Sequence, residues 1–234
     1  MLIKSGNTCY YLTMKVVIIR KRVKTLTIRI IDGDNITVTV PLDMSNNSIE
    51  KILNLKSQWI ENKLKEKKEL HEKNKSIYAF KEVLLYGNKY EIAFSDVPNV
   101  CCVENYIILP NSKAGAPEEI KKTLDLYLSQ LAKNVLPKYV ATWGEKMSLC
   151  PTAIKIKNLK SKWGSCNGDG EIVLNVKLIH LPIRLIEYVV VHELCHLKNL
   201  NHSELFWKSV KVYFPDLEDV RKQLHQYDFL TDFK

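Results

Sequence analysis

The sequence predicts an α+β protein, with a mostly antiparallel, β-rich amino-terminal region that contains one long helix and a carboxy-terminal region in which helices pack beside a small sheet. Apolar and polar side chains alternate between residues 17 and 40, which indicates strands with one buried face. Apolar residues recur at helical spacing between residues 49 and 64, which indicates the long helix. Pro117, followed by two glutamates, is typical of the start of a further helix.

The first strands are expected to form an antiparallel meander. Apolar and polar residues alternate in three successive segments, at residues 17–19, 26–30 and 36–40. The sequence Asp-Gly-Asp-Asn at residues 32–35 is typical of a tight turn, and it separates the second segment from the third. In a meander each strand pairs with its neighbour along the chain, so these three strands should be adjacent in that order.

One long helix and three short strands are predicted to follow. Asn47 and Glu50 have the spacing of a capping box, which places the start of the helix at this point. The Gly87-Asn88 pair is typical of a tight turn between two strands. The short strands should extend the first sheet, and they are expected near residues 83–86, 90–94 and 106–109.

A domain boundary is predicted between residues 113 and 114. The small residues at 114–116 separate the last of these strands from the helix that begins at Pro117. A stretch of this composition before a helix start is typical of a linker. The two predicted domains are residues 1–113 and residues 114–234.

The carboxy-terminal domain is predicted to contain helices and a small hairpin. The first helix should reach about Met147, although Pro137 within it is expected to kink or break it. A strand is expected at residues 154–156, and the sequence Asn-Gly-Asp-Gly at residues 167–170 is typical of a hairpin turn before the next strand. Pro182 then stands at the favoured first position of another helix.

Composition favours a soluble chain in a reducing compartment. A length of 234 residues with 46% hydrophobic residues is sufficient for the core of one large domain or two small ones. The apolar run at residues 16–19 is too short to span a bilayer, and no secretory signal precedes it. Six cysteines without paired C-x-x-C spacing indicate free thiols. We therefore expect a cytoplasmic protein that does not associate with membranes.

The net charge of +9 is compatible with nucleic-acid binding but does not favour it. Positive charges are spread over residues 20–24 and over the end of the long helix at residues 63–75. No aromatic residues alternate with them in the pattern of a nucleic-acid-binding motif. We interpret these charges as solvated faces.

The motif that carries chemistry is His192-Glu193-Leu194-Cys195-His196, which has the H-E-x-x-H spacing. In a helix, residues four apart lie about 40° apart around the axis and about 6 Å apart along it, so both imidazoles can reach one ion. A catalytic zinc ion takes three protein ligands and keeps one position for water. The adjacent carboxylate can accept a proton as that water attacks. The motif therefore predicts a zinc-dependent hydrolase with Glu193 as its base.

His202 is the best candidate for the third ligand. It has the spacing of the H-E-x-x-H-x-x-G-x-x-H pattern, in which a glycine lets the chain turn back to the metal. Asn199 stands at the glycine position, and asparagine is the next most tolerant residue of a left-handed conformation. Asn201 and Glu204 are expected to cap a new helix with His202 in its first turn. Glu218, as a distant glutamate ligand, is the alternative.

A role in packing is the alternative interpretation of these histidines. The apolar residues 188–191 predict a buried helix, in which two imidazoles and a carboxylate are costly to bury without a partner such as a metal. We therefore favour the metal site. Cys195 should face away from the ligands and serve as a small core residue. Surface or packing roles are expected for the histidines without such neighbours, His71, His180 and His225.

Further segments strengthen this interpretation because, together with the motif, they resemble those of a known family. They are Lys162-Trp163-Gly164-Ser165-Cys166, Leu174-Asn175, Asn201-His202-Ser203 and Phe206-Trp207. The resemblance is to the YgjP-like metallopeptidase family. It includes residues 20–26 and Trp59-Ile60, and so covers most of the chain from about Met14 onward.

The resemblance implies a zincin-like metallopeptidase domain with zinc as its cofactor. The family's three histidine ligands and catalytic glutamate match residues of this sequence one by one, namely His192, His196, His202 and Glu193. The family usually carries arginine where Lys162 stands, and lysine keeps the charge but loses the bidentate fork. Lys162 and Asn175 are the candidate contacts to a substrate or transition state.

Three functions remain to be compared. A peptidase acting on a peptide or protein should present an edge strand beside the metal, and residues 171–176 are the predicted edge. A hydrolase of nucleotides or other phosphoanhydrides would need cations that converge on the metal. A non-catalytic zinc module is disfavoured because the predicted ligand set leaves one coordination position open. We favour the peptidase, and the cations proposed for the second function are Lys160, Lys162 and Lys177.

Overall fold

The structure is a computed structural model that describes residues 3–5, 8–11, 14–30, 35–74, 77 and 80–231. The contacts between residues in space divide the chain into two compact units, Met1–Asn74 and Lys75–Phe233. We call them the amino-terminal unit and the carboxy-terminal unit. Both units contain helices and strands, so the predicted α+β class is confirmed. None of the helices within the described ranges is long and apolar enough to cross a membrane.

A five-stranded sheet forms the centre of the amino-terminal unit. Its strands are β1 (Ile3–Ser5), β2 (Thr8–Tyr11), β3 (Met14–Lys21), β4 (Thr27–Ile30) and β5 (Asn35–Pro41). They lie in the order β1-β2-β3-β5-β4, and β3 pairs with β5 in parallel while the other pairs are antiparallel. The sheet is mostly antiparallel, as predicted. The prediction of a meander is wrong, because β5 lies between β3 and β4.

Burial explains the central position of β5. Ile36, Val38 and Val40 are fully inaccessible, and Thr37 on the other face is also buried. Central strands of a sheet are usually more buried than edge strands, and β4, at the edge, begins at the exposed Thr27. The alternation of residues along β4 and β5 did not show which of the two was central. The predicted turn at residues 32–35 lies mostly outside the described residues.

Two helices, not one, cover this sheet. They are α1 (Asn46–Leu55) and α2 (Ser57–Lys73), and the chain leaves helical geometry between them. The cap of α1 is Ser45, whose Oγ accepts a hydrogen bond from the amide of Ser48 at 3.2 Å, so the predicted capping box at Asn47 is wrong. Buried residues of the helices and of the sheet form one hydrophobic core, and they include Val16, Val38, Ile49, Leu53 and Ile60.

The next four strands form a sheet of their own in the carboxy-terminal unit. They are β6 (Glu82–Leu85), β7 (Asn88–Ser95), β8 (Cys101–Val103) and β9 (Tyr106–Pro110), in the order β6-β7-β9-β8. The strands β6, β7 and β9 are where the sequence predicts them, whereas β8 was not predicted. The prediction that they extend the first sheet is wrong, because none of them pairs with a described strand of that sheet.

The division between the two units lies at Asn74 and Lys75, whereas the sequence places a boundary between residues 113 and 114. Val83, Leu85, Ile107 and Leu109 lie in the same hydrophobic core as the helices that follow. The burial of these side chains therefore depends in part on residues beyond 113. The small residues at 114–116 therefore join two elements of one unit.

Four helices follow in the carboxy-terminal unit, namely α3 (Pro117–Met147), α4 (Ile183–Cys195), α5 (Glu204–Tyr213) and α6 (Leu217–His225). Pro117 is at the first position of α3, as predicted. Pro137 does not break α3, because Leu136 and Val140 beside it are buried and hold the helix in the core. Pro182 was predicted as the first residue of α4 but is its N-cap, so the helix begins one residue later, at Ile183.

A three-stranded sheet lies next to α4. It consists of β10 (Ala153–Lys157), β11 (Gly164–Cys166) and β12 (Glu171–Asn175), in the order β10-β12-β11. The predicted hairpin turn connects β11 and β12, and Gly170 there has a φ of 77°. β12 is the central strand, so the prediction that residues 171–176 form an edge is wrong. The edge that packs against α4 is β11.

Candidate metal centre

The helix α4 lies in the middle of the carboxy-terminal core. Most of its side chains are buried, as the apolar sequence before the motif predicts. They include Leu185, Ile186, Val190, Val191 and Leu194. His196 and Glu193 are buried as well, and His192 is half-buried. A buried carboxylate and two imidazoles on one helix are costly unless they interact with a partner.

Three imidazoles converge at the end of α4. The candidate ligand atoms of His192, His196 and His202 all lie within 4.8 Å of one another. The Nε2 atoms of His192 and His202 are 3.0 Å apart. Two nitrogens bound to one tetrahedral zinc ion, at bond lengths of about 2.0–2.1 Å, lie roughly 3.3 Å apart, so this spacing fits a shared ion.

The protonation of the triad also fits a metal. Burial is the main cause that lowers the pKa of His192 to about 3, and the neighbouring His196 and His202 contribute in the same direction. A neutral imidazole is the form that binds metal. The Nδ1–H of His196 donates to the carbonyl of Asn199 at 2.9 Å, which leaves Nε2 of that ring as the metal-facing atom. The Nδ1 atom of His192 is buried without a partner among the described residues.

Helix α5 holds two of the rings in place. Phe206 stacks on His196 with ring centroids 4.4 Å apart, and Trp207 stacks on His202 with centroids 5.4 Å apart. Both aromatic residues belong to the first turn of α5. The rings of two candidate ligands are therefore fixed by packing as well as by hydrogen bonding.

The loop between α4 and α5 differs from the prediction in its details. Asn199 does not adopt a left-handed conformation, so the glycine of the longer pattern is not needed here. Ser203, not Asn201, caps α5, because its Oγ accepts from the amide of Phe206 at 3.5 Å. His202 thus precedes the helix. Glu204 is exposed and forms an ion pair with Lys208 at 2.7 Å.

Glu193 lies beside the triad in a nearly closed environment. The residue is only 5% exposed, and the Oε2 atom of its carboxylate has no hydrogen-bond partner among the described residues. Burial raises the pKa of this carboxyl to about 8, although the nearby Lys162 acts in the opposite direction. Gly164 of β11 leaves no room for a side chain, since a Cβ atom there would lie 2.8 Å from both Cγ and Oε1 of Glu193.

The two candidate substrate contacts occupy different surroundings. Lys162 is exposed and close enough to Glu193 to lower its pKa. Asn175 is fully buried, and its Nδ2 donates to the carbonyls of Leu159 and Lys162 at 2.9 and 2.7 Å. Its Oδ1 accepts from the amide of Lys177 at 3.1 Å. The side chain of Asn175 thus holds the loop before β11 and has no free group that faces outward.

A cavity of about 370 Å³ opens beside the triad. His192 and His202 lie in its wall with Trp163 and Trp207 of the family-like segments, and the wall also includes residues that the sequence did not single out. Among these, Arg221 and Leu224 belong to α6, and nothing in the sequence around them marks a functional role. Glu218 on the same helix is 78% exposed and does not belong to the group of potential ligands.

Comparison with protein families identifies the chain. The description of the matching family is "YgjP-like, metallopeptidase domain", and the match extends over residues 24–227. The chain belongs to the YgjP-like metallopeptidase family. It is therefore a metallopeptidase-like hydrolase, and the resemblance noted from its motifs is confirmed.

Other comparisons place this YgjP-like chain among distant structures. The metallopeptidase zymogen abylysin of Pyrococcus abyssi is 20% identical, with a TM-score of 0.38 over 43% of this chain and 100% of that one. The zymogen jannalysin of Methanocaldococcus jannaschii is 22% identical, with a TM-score of 0.36 over 39% of this chain and 94% of that one. A search of curated proteins found no match.

The remaining cysteine and histidines of the YgjP-like motif region serve other roles. Cys195 is buried, and burial raises the pKa of its thiol to about 11, so it is a core residue and not a thiolate. His180 packs through a contact of 2.7 Å between its Nδ1 and the carbonyl of Leu84. His225 contacts Asp228 at 3.0 Å and lies in the cavity wall. The side chain of His71 lies outside the described residues.

Proposed function

We propose that this protein is a zinc-dependent peptidase in which Glu193 is the general base. One observation carries the proposal: three imidazoles converge beside a buried carboxylate, and one carboxylate oxygen has no hydrogen-bond partner among the described residues. His192 belongs to the same helix as the carboxylate, and His196 is the C-cap residue of that helix. Zinc fits this donor set because it prefers imidazole nitrogen and accepts three protein ligands.

The residues of the chain would divide the work as follows. When bound by His192, His196 and His202, a zinc ion supplies the Lewis acidity that polarises a carbonyl and makes water more acidic. Glu193 takes the proton from the attacking water on its carboxylate and passes it to the nitrogen of the leaving amine.

Strand β11 supports a peptide as the substrate. It is the edge of its sheet, and it lies against α4 at the position of Glu193. The backbone groups on the outer side of an edge strand can pair with an extended peptide. A peptide bound there would lie next to the carboxylate. We therefore propose β11, and not residues 171–176, as the edge strand that binds the peptide.

The alternative, hydrolysis of a phosphoanhydride, has less support. It needs several cations that converge on the reacting group. Of the three lysines considered, Lys162 is close enough to Glu193 to oppose the rise of its pKa. Lys177 acts instead on the pKa of His180, which is not part of the triad. Lys160 is exposed, and none of the three lies in the wall of the cavity. The lysines therefore give no reason to prefer this function.

The substitution Glu193→Gln tests the proposed base. The amide keeps the size of the side chain but cannot accept a proton, so peptide turnover should fall by about 10³-fold or more. The zinc content of the purified protein should stay at one ion per chain, as measured by atomic absorption. Full activity of the variant, or loss of its zinc, would contradict the assignment of Glu193 as base.

Gly164→Ala tests the position of the carboxylate without changing it chemically. The new Cβ atom would lie 2.8 Å from Glu193 and must displace it, so kcat should fall by about 10- to 100-fold while zinc is retained. Gly168→Ala in the same hairpin is the control, because a Cβ atom there is 3.9 Å from its nearest neighbour, on Leu200. Equal activity of the two variants would show that the carboxylate does not need this position.

A further inference from the structure

The cavity beside the triad has an apolar wall and a cationic end. His192 and His202 lie in its wall, but Glu193 and Lys162 do not, so it extends away from the proposed base. Its apolar and aromatic side chains are Trp163, Tyr188, Trp207 and Leu224, and its other polar side chains are Arg221, His225 and Asp228. A space of this kind next to the reacting group can hold a part of the substrate adjacent to the bond that is cleaved.

Arg221 in this cavity has few partners for its five N–H donors. Its guanidinium carbon lies 5.0 Å from the centre of the Trp207 ring. Among the described residues, the nearest carboxylate oxygen is on the exposed Glu218, at 3.8 Å, which is too long for a hydrogen bond. Arg184 in the same unit is different, because both oxygens of Asp216 lie 2.7 Å from its Nη2.

The position of this arginine, which is partly exposed, favours the binding of an anion. A guanidinium in the same cavity as His192 and His202 repels any metal cation that they hold. An anion between the two would attract both. The carboxylate already in the cavity, on Asp228, is 3.0 Å from Nδ1 of His225 and so has a cationic or hydrogen-bonding partner of its own.

We propose that the cavity binds a carboxylate group of the substrate and that Arg221 determines this specificity. The inference rests on the proposed function in one respect, since it takes the substrate to be a peptide. The guanidinium lies over the ring of Trp207, and the apolar wall accepts the carbon atoms that carry the carboxylate. The carboxylate has two sources in a peptide, the carboxy-terminus and the side chain of aspartate or glutamate, and both present the same chemistry to Arg221.

Matched peptides separate the two sources. One pair differs only in a free or amidated carboxy-terminus, and a second pair differs only in glutamate or glutamine next to the bond that is cleaved. The charged member of one pair should have a kcat/KM about 10- to 100-fold above its neutral partner, because a hydrogen-bonded ion pair is worth that factor. Equal values for both members in both pairs would overturn the proposal.

Variants of two neighbouring residues assign the effect to Arg221. Arg221→Gln should lower the kcat/KM of the charged peptide to that of its neutral partner, and Arg221→Lys should restore part of the difference. Lys222→Gln is the control, because it removes the same charge from the next, exposed residue of α6. A preference that persists in Arg221→Gln, or that is lost equally in Lys222→Gln, would overturn the role of Arg221.

A binding experiment keeps the inference testable if no peptide is cleaved. Calorimetric titration of the zinc-loaded Glu193→Gln protein with each peptide measures affinity without turnover. Weaker binding of the neutral peptides, and loss of that difference when Arg221→Gln is added, would support the carboxylate site even if the proposed peptidase activity failed. Equal binding of acid and amide, or binding of inorganic phosphate in preference to the acidic peptide, would overturn it.

Discussion

The two units of the chain differ in the polar groups that they bury. In the described part of the amino-terminal unit, the buried residues are apolar except for Thr37 and Asn74. The carboxy-terminal unit buries Asn175, Glu193 and His196. Burying ionisable groups is costly, and stability alone gives no reason to retain them. The comparison therefore favours the carboxy-terminal unit as the location of the proposed site.

Net charge is distributed in the opposite way. Residues 1–74 contain 14 lysines and arginines against 8 aspartates and glutamates, which accounts for six of the nine excess positive charges. None of the candidate ligands or the candidate base lies in this unit. Surface charge and buried polar residues thus mark different parts of the molecule, and in this protein it is the buried residues that indicate where catalysis occurs.

Truncation is the strongest test of this division. A fragment of residues 75–234 should be soluble and bind one zinc ion, because it keeps the whole core of the carboxy-terminal unit. A fragment of residues 114–234 should be insoluble or unfolded, since it lacks Val83, Leu85, Ile107 and Leu109. Circular dichroism and zinc content measure both outcomes. A folded, zinc-binding shorter fragment would restore the boundary that the sequence predicts.

The third ligand gives the next largest effect. His202→Ala should weaken zinc binding by about 100-fold or more, because two imidazoles remain where three are needed. Glu218→Ala and Glu204→Ala should keep the affinity of the unchanged protein, since both side chains are largely exposed and neither belongs to the triad. Competition with a chromogenic chelator measures the three affinities. If either glutamate variant lost more zinc affinity than His202→Ala, that glutamate would be the third ligand in place of His202.

Dependence on pH should be a smaller effect that is specific to the carboxy-terminal unit. In the metal-free protein, the pKa of Glu193 is raised from 4.5 to about 8. Its contribution to the free energy of unfolding is therefore fully present below pH 4.5 and is lost as the pH rises towards 8. The pKa of His192 is lowered from 6.5 to about 3, so its contribution is present above 6.5 and is lost as pH falls. The free energy of unfolding should therefore decrease between pH 6.5 and 9.

Urea denaturation of the metal-free protein at these two pH values measures the change, which should be a few kcal/mol at most. In the Glu193→Gln variant this alkaline decrease should disappear, because the amide does not ionise. Asp125→Asn is a suitable control, since it removes an exposed carboxylate from the same unit. An equal decrease in Glu193→Gln would place the titrating group elsewhere.

The candidate ligands were predictable from the sequence because they depend on local geometry. A helix places His192 and His196 on one side whatever surrounds it, and the spacing to His202 needs only a short turn. The hairpin between β11 and β12 was predictable for the same reason, since its turn residues act on their own backbone.

Long-range relations were not predictable in this way. The parallel pairing of β3 with β5 depends on which strand is buried on both faces, and residue alternation along one strand does not report this. Arg221 reaches the cavity because α6 packs near α4, and no spacing along the sequence encodes that contact. The role of Asn175 was also hidden, because its partners are backbone carbonyls of residues 159 and 162.

The triad joins two parts of the structure that we expect to open on different timescales. His192 and His196 lie at the end of a helix whose amides should exchange with solvent only when the whole unit unfolds, whereas His202 is exposed in the loop before α5. We expect the amides of residues 198–202 to exchange through brief local openings. Each opening would withdraw one imidazole and leave two in place. The rate at which a bound ion leaves should therefore follow the opening of this loop, well before the protein unfolds.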